Sequence, residues 1–206
     1  PADATLTLLA EAAFPTCVSA GFIERDAAGR HFNAQALLAD RKVAGVHRKL
    51  NLPGYGRLRE DRAYTPGESL ALTPLAAGWQ VATLICADSW NPALPWLMAL
   101  AGANLLIMPA ASSRDAVGDD FDNARGWDIN LTHTALTYGL PTIFANHCGR
   151  RDGFDFWGGS RSELIVAELA LADGEAARQA LPTIRDSDPA LVQRLLAKFL
   201  SQRPEP

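Results

Sequence analysis

Apolar and polar positions change their period several times along the chain, and each change marks an element. Ala4 to Ala13 is rich in Leu and Ala, with Leu6, Leu9 and Ala13 at helical spacing, and reads as a helix that Pro15 ends. Cys17 to Ile23 and His31 to Leu38 then read as strands, with Cys17 expected in the core and Glu24 to Gly29 as the turn between them. Asp40-Arg41-Lys42 is a second tight turn, followed by a third strand from Val43 to Leu50. Connections this short predict an antiparallel meander. Alternation along the third strand puts Val43, Gly45, His47 and Lys49 on one face and Ala44, Val46, Arg48 and Leu50 on the other.

Further on, strands alternate with helices. A long loop, Asn51 to Arg62, and a Pro66-Gly67 turn precede strands at Ser69 to Leu75 and Trp79 to Cys86. Pro92 opens a helix that runs through Trp96, Leu97 and Leu100 to Gly102, and Asn104 to Met108 is a strand of buried type. This strand–helix–strand unit predicts parallel pairing. A polar connection, Gly118 to Asn123, leads to a helix over Arg125 to Tyr138, with Ile129, Leu131, Ala135 and Leu136 as its expected buried stripe. Pro141 to His147 is a strand, Gly149 to Gly153 a charged loop, and Phe154 to Ser160 an aromatic, Gly-rich loop. The rest reads as a strand at Ser162 to Leu171, a short helix at Gly174 to Ala180, and a final helix at Asp188 to Leu200 with Leu191, Leu195 and Leu196 on its apolar face. The class is α/β.

Composition narrows the function classes. The chain has 206 residues, which predicts a single domain over 1–206. Its net charge of −4 gives no basic field for nucleic acid or an acidic membrane surface, and no apolar run approaches a membrane span. Three cysteines without framework spacing fit a reducing, cytoplasmic setting. The opening residues, Pro1-Ala2-Asp3-Ala4, show neither an initiator Met nor a positively charged leader, so the chain is expected to begin inside a longer protein. His31, His47, His133 and His147 lack ligand spacing, and no phosphate loop or dinucleotide fingerprint is present, so no metal and no cofactor is expected.

One thiol occupies a telling place. The apolar run Val81 to Ile85 stops at Cys86, and Asp88, Ser89, Asn91 and Pro92 after it are turn formers and helix starters. A thiol where a buried strand becomes a helix can be structural, since free Cys is among the most buried residue types, or reactive, since ligands gather at the carboxyl ends of strands.

The order of five stretches resembles the nitrilase superfamily, the carbon–nitrogen hydrolases. The stretches are His47-Arg48-Lys49-Leu50-Asn51-Leu52-Pro53; Glu60 ahead of Pro66-Gly67; Leu84-Ile85-Cys86-Ala87-Asp88; the helix before Pro141-Thr142-Ile143-Phe144-Ala145-Asn146; and Phe156-Trp157-Gly158-Gly159-Ser160. The resemblance implies a four-layer αββα sandwich with mixed sheets, and a cysteine nucleophile at Cys86. It implies Lys49 as the family lysine, Glu60 as a glutamate that positions it, and Trp90 as a wall of the substrate pocket. The implied activity is hydrolysis of a non-peptide carbon–nitrogen bond, an amide ahead of a nitrile, through a thioester. The implied partner is that small molecule, together with further copies of the chain in a homo-oligomer. Two other readings remain: a glutaminase-type domain that supplies ammonia to a synthetase, and a catalytically inert interaction module. The sequence departs from the family pattern twice. The family's general-base glutamate lies in a Pro-Glu segment that would precede Pro1, and a hairpin usual after Arg161 is missing between 161 and 162.

Overall fold

The computed structural model describes residues 4–118, 120–158 and 166–201. The first sheet is the expected meander: β1 (Val18–Arg25), β2 (His31–Ala39) and β3 (Lys42–Arg48), antiparallel in the order β1-β2-β3. Asp40 and Arg41 turn the second hairpin with φ of 51° and 62°, the left-handed pair that two-residue hairpin loops use. Cys17 lies just before β1 and is exposed, so it is not a core residue.

One correction to the third strand bears on the site. Leu37 pairs with Gly45 but Leu38 pairs with Val43, so Ala44 is an extra residue, a bulge in β3. The bulge moves Val43 off the face of Lys49. Val43 joins Leu6, Ala10, Ala36 and Leu38 under α1 (Ala4–Ala13), while Gly45, on the other face, meets Thr73 of the second sheet. Packing of α1 uses Leu6 and Ala10, one turn apart; Leu9, expected inside, is 46% exposed.

The second sheet is mixed, in the order β4-β5-β6-β7. Its strands are β4 (Thr73–Pro74), β5 (Gln80–Thr83), β6 (Leu105–Ala110) and β7 (Thr142–Asn146). The pairs β5/β6 and β6/β7 are parallel, as the strand–helix–strand reading requires, and β4/β5 is antiparallel. Of the strand expected at Ser69 to Leu75, only Thr73–Pro74 pairs. The helix α3 (Ala93–Leu100) and the longer α4 (Asn123–Tyr138) accompany this sheet. Leu94, Met98, Leu106, Met108, Trp127 and Leu140 form the main core with Ala82 and Leu84. The stripe expected on α4 is out of phase. Asn123, Trp127 and Thr134 are buried, whereas Ile129 and Leu136 are 58% and 65% exposed. Trp127 sets the phase, because its ring is the largest buried side chain.

The layers are therefore helix, sheet, sheet, helix, the expected αββα sandwich. The two sheets approach closely at Gly45, where a Cβ would stand 2.2 Å from Thr73 Oγ1. Leu50, Leu70 and Leu72 pack against the main core.

Gly149 to Gly153 and the residues after it are not loops but a hairpin, β8 (Cys148–Arg151) and β9 (Phe154–Trp157). Its turn is Asp152-Gly153, with φ of 51° and 78°. Asp-Gly is a strong hairpin signal that the charge of its neighbours obscured. The strand expected at Ser162 to Leu171 falls partly outside the described residues, as does the break after Arg161, and 166–170 carry no strand. Helices α5 (Leu171–Ala180) and α6 (Pro189–Leu200) close the described chain; Leu191, Leu195 and Leu196 of α6 are exposed. Among the described residues, no helix is long and apolar enough to cross a membrane.

Candidate functional site

Cys86 stands where β5 ends. After Thr83 the ladder stops, and Cys86 opens a 3-10 turn, Cys86–Trp90. Its φ is 48°, a left-handed conformation that non-glycine residues rarely adopt and that clusters at functional sites.

Asp88 holds this turn. Its side chain is fully buried, and it accepts from five groups. Oδ2 takes the Ile85 N–H at 3.1 Å and His47 Nε2 at 2.9 Å. Oδ1 takes the Leu50 N–H at 2.9 Å, the Asn51 N–H at 2.7 Å and Asn51 Nδ2 at 3.2 Å. A single carboxylate thus clamps the residue before the thiol to both residues after Lys49. The sequence showed Cys-x-Asp but not this role. The available signal was an acidic residue two positions past a buried strand end, where a carboxylate can accept the N–H groups a turn leaves over.

Lys49 continues the β3 ladder, its N–H bonded to Asn33 O at 2.8 Å. Alternation sends Arg48 outward, to a two-pronged pair with Glu24 at 2.6 and 2.7 Å over the Phe32 ring, and sends Lys49 inward. The lysine is 1% exposed, and its Nζ meets Glu60 Oε2 at 2.5 Å. A buried ammonium needs such a partner. Glu60 begins α2 (Glu60–Ala63), and its own N–H bonds to Pro53 O at 3.0 Å. The Pro66-Gly67 turn pins the same place: the Gly67 N–H donates to Lys49 O at 2.8 Å, and a Cβ there would stand 2.4 Å from Arg48 O.

A cavity of about 160 Å³ opens beside Cys86 and Glu60. Glu60, Cys86 and Trp90 line it together with Tyr55, Phe121 and Trp127. Trp90 meets Trp127 and Phe121 edge-on, with ring centroids 5.3 and 6.0 Å away. All four residues expected at a site are therefore in one neighbourhood: three line the cavity, and Lys49 reaches it through Glu60. Tyr55, Phe121 and Trp127 were not singled out, because only the tertiary fold brings their loops and helix to Cys86. A larger, more open depression of about 690 Å³ lies beside β7 and the β8–β9 hairpin. It shares Ala111 with the smaller cavity but is lined by neither Cys86 nor Glu60.

Burial pushes the Cys86 thiol up from its ordinary value. The Lys49 ammonium pulls it back down, the Glu60 carboxylate raises it again, the Ala87 N–H lowers it and Asp88 raises it. Desolvation, with smaller contributions from Cys86 and Glu60, likewise raises the Tyr55 hydroxyl. The arrangement offers a half-buried thiol, a fixed cation, a carboxylate and a backbone N–H close together. Among the described residues, no group of three or more His, Cys, Asp or Glu side chains could hold a metal ion.

Comparison with known proteins gives this geometry a context. Residues 3–174 match the carbon–nitrogen hydrolase family. Over 146 residues, 68% of this chain, it is 32% identical to the glutamine-dependent NAD(+) synthetase of Thermotoga maritima. Over 127 residues, 62% of the chain, it is 28% identical to the citrullinase of Francisella tularensis. The chain spans only 23% and 44% of those two proteins' lengths. Its fold matches the crystal structure of a carbon–nitrogen hydrolase from Helicobacter pylori with a TM-score of 0.83 and 26% identity, covering 94% of this chain and 75% of that one.

Proposed function

Since the chain belongs to the carbon–nitrogen hydrolase family, we propose that it hydrolyses a non-peptide amide through a thioester on Cys86. The observation that carries the proposal is the convergence of a buried Lys49–Glu60 pair at 2.5 Å with a left-handed cysteine on one cavity. An amide carbon is a poor electrophile, so a thiolate is suited to attack it. Cys86 Sγ bonds to the carbonyl carbon, and the negative charge that develops on oxygen faces the Lys49 ammonium and the Ala87 N–H. Glu60 fixes Lys49. It is also the carboxylate lining the cavity that can carry the thiol proton to the departing amine. Collapse breaks the C–N bond and releases ammonia or an amine. Water then cleaves the thioester to a carboxylic acid and restores the thiol. Cys86→Ala is expected to lose on the order of 10³-fold or more in kcat/KM, and Lys49→Met on the order of 10²-fold or more. Full amidase activity in Cys86→Ala would exclude the mechanism.

Similarity to the Thermotoga maritima synthetase supports a second reading, a glutaminase-type domain that supplies ammonia. Ammonia release from glutamine at rates well above those from other amides would favour it. The proposed assembly is a homo-oligomer. Ile129 and Leu136 lie seven positions apart on α4 and are 58% and 65% exposed, the kind of apolar face that a second copy covers. Sedimentation showing monomer alone would remove that idea. The proposed setting is the cytoplasm, on the low cysteine count, and recovery of the protein outside that compartment would contradict it.

A further inference from the structure

Arg57 does not line the Cys86 cavity, yet three segments around that cavity meet on its guanidinium. It is paired with Asp115, donates from Nη2 to Gly153 O at 3.0 Å, and lies 4.2 Å over the Phe154 ring. Asp115 and Gly153 stand 58 and 96 positions further along the chain. The first segment is the loop over 53–60, which supplies Pro53, Tyr55, Leu58 and Glu60 to the lining. The second, 113–117, supplies Ala116 and Val117. The third is the β8–β9 hairpin, which holds the second: Ser113 bridges Phe156, and the Arg114 N–H donates to Asp155 O at 2.9 Å.

The loop is built to be held as one piece. The Leu58 N–H donates to Tyr55 O and the Glu60 N–H to Pro53 O, both at 3.0 Å. Its backbone also runs against the second segment. The Arg57 N–H donates to Ala116 O at 3.0 Å, and Gly56 has a φ of 58°, with the place of a Cβ 2.3 Å from that oxygen. A left-handed residue at so close an approach has to be glycine. Tyr55 faces the thiol and the carboxylate: burial, then charge on Cys86 and on Glu60, keep the proton on its hydroxyl. The Arg57 and Asp115 side chains are 46% and 33% exposed, and ion pairs this open to solvent add little to stability. What this pair does is join distant segments. Asp115 Oδ1 is buried with no hydrogen-bond partner among the described residues, so the carboxylate is set into the wall and depends on Arg57 at its other oxygen.

We propose that Arg57 is a positioning residue for the Cys86 cavity: by tying the 53–60 loop to Asp115 and to the β8–β9 turn, it sets how Tyr55 and Leu58 sit against Ala116 and Val117, and so governs access to the thiol and the seating of a substrate beside it. The effect on turnover rests on the amide-hydrolase reading above; the effect on access to Cys86 does not.

The test compares Arg57→Ala with Arg41→Ala in the full chain. Arg41 makes matching contacts away from the cavity, an ion pair with Glu11 at 3.1 Å and a position 4.2 Å over the Phe14 ring. Two quantities are read. One is the limiting rate of Cys86 alkylation by iodoacetamide, a neutral reagent, taken from the pH profile so that the thiolate fraction does not enter. The other is kcat and KM for whichever of propionamide, benzamide and glutamine the wild type turns over best. Arg57→Ala is expected to raise the limiting alkylation rate about 5-fold or more, as the wall opens locally. It is expected to lower kcat/KM on the order of 10-fold, mostly through KM. Arg41→Ala should match the wild type in both. Arg57→Lys keeps a charge for Asp115 but has neither the fork for Gly153 O nor a flat face for Phe154, so it should recover only part of the loss. Adding Asp115→Asn to Arg57→Ala should change nothing further, because the two act through one contact. Arg57→Ala equal to Arg41→Ala in both readouts would overturn the proposal. So would a loss of turnover with an unchanged alkylation rate, since the wall would then have kept its place. A raised alkylation rate with none of the three amides turned over by the wild type would keep the positioning role and count against the hydrolase reading. If Arg57→Ala does not fold, Asp115→Asn alone carries the comparison: a raised limiting rate is expected, and the wild-type rate would overturn the proposal.

Discussion

At Cys86, opposing influences on one thiol can be read separately. Burial raises its proton affinity most, Lys49 lowers it, and Glu60 raises it. The folded value thus lies above the unfolded one, near 8.5 for a free thiol. The stability this contributes is fully present below the unfolded value and is lost as pH rises through the folded one. Alkylation by iodoacetamide, followed at the Cys86 peptide, should accelerate with a midpoint above that of a free thiol. Glu60→Gln removes a charge that disfavours the thiolate, so its midpoint should fall below that of the wild type. Lys49→Met removes the charge that favours it, so its midpoint should rise. The reverse order for the two variants would show that neither group faces the thiol as described.

Between elements, Asp88 joins what the chain keeps far apart. Its carboxylate ties the end of β3 to the turn after β5, accepting from Ile85, His47, Leu50 and Asn51. Asp88→Asn keeps the shape but turns an NH₂ group toward N–H donors. Leaving such buried groups unpaired costs about 1–3 kcal/mol each, so chemical denaturation should show a loss of that order. Activity should fall with it, because Lys49 and Cys86 lose their common reference. A variant as stable and as active as the wild type would show that the clamp does not position the site. This contact was not legible in the sequence, although both partners were. Spacing gave the strands and the Cys-x-Asp turn; the hydrogen bonds depend on how two sheets stack. The bulge at Ala44 was hidden for a related reason. Alternation assumes a regular ladder, and only the pairing of Leu37 with Gly45 and Leu38 with Val43 reveals the extra residue. On α4, one ring outweighed the aliphatic count: Trp127 turned inward and left Ile129 and Leu136 outside.

Over the whole molecule, the αββα layering was readable because the connections are unambiguous. Short turns forced the meander, and the crossover through α3 forced parallel strands. The meeting of Lys49, Glu60, Cys86 and Trp90 was implied by the resemblance to the carbon–nitrogen hydrolases that the order of the motifs carries. The aromatic wall from Phe121 and Trp127 was not, since nothing local ties those residues to a cysteine more than thirty positions earlier. The proposed hydrolysis depends on covalent chemistry at one sulfur. The most direct test is intact-mass and peptide mass spectrometry of the protein quenched in acid during turnover of benzamide. The expected result is a mass gain equal to one benzoyl group in place of a hydrogen, located on Cys86 and absent from Cys86→Ala. Sustained turnover with no acyl group on Cys86, or the same adduct formed in Cys86→Ala, would contradict it.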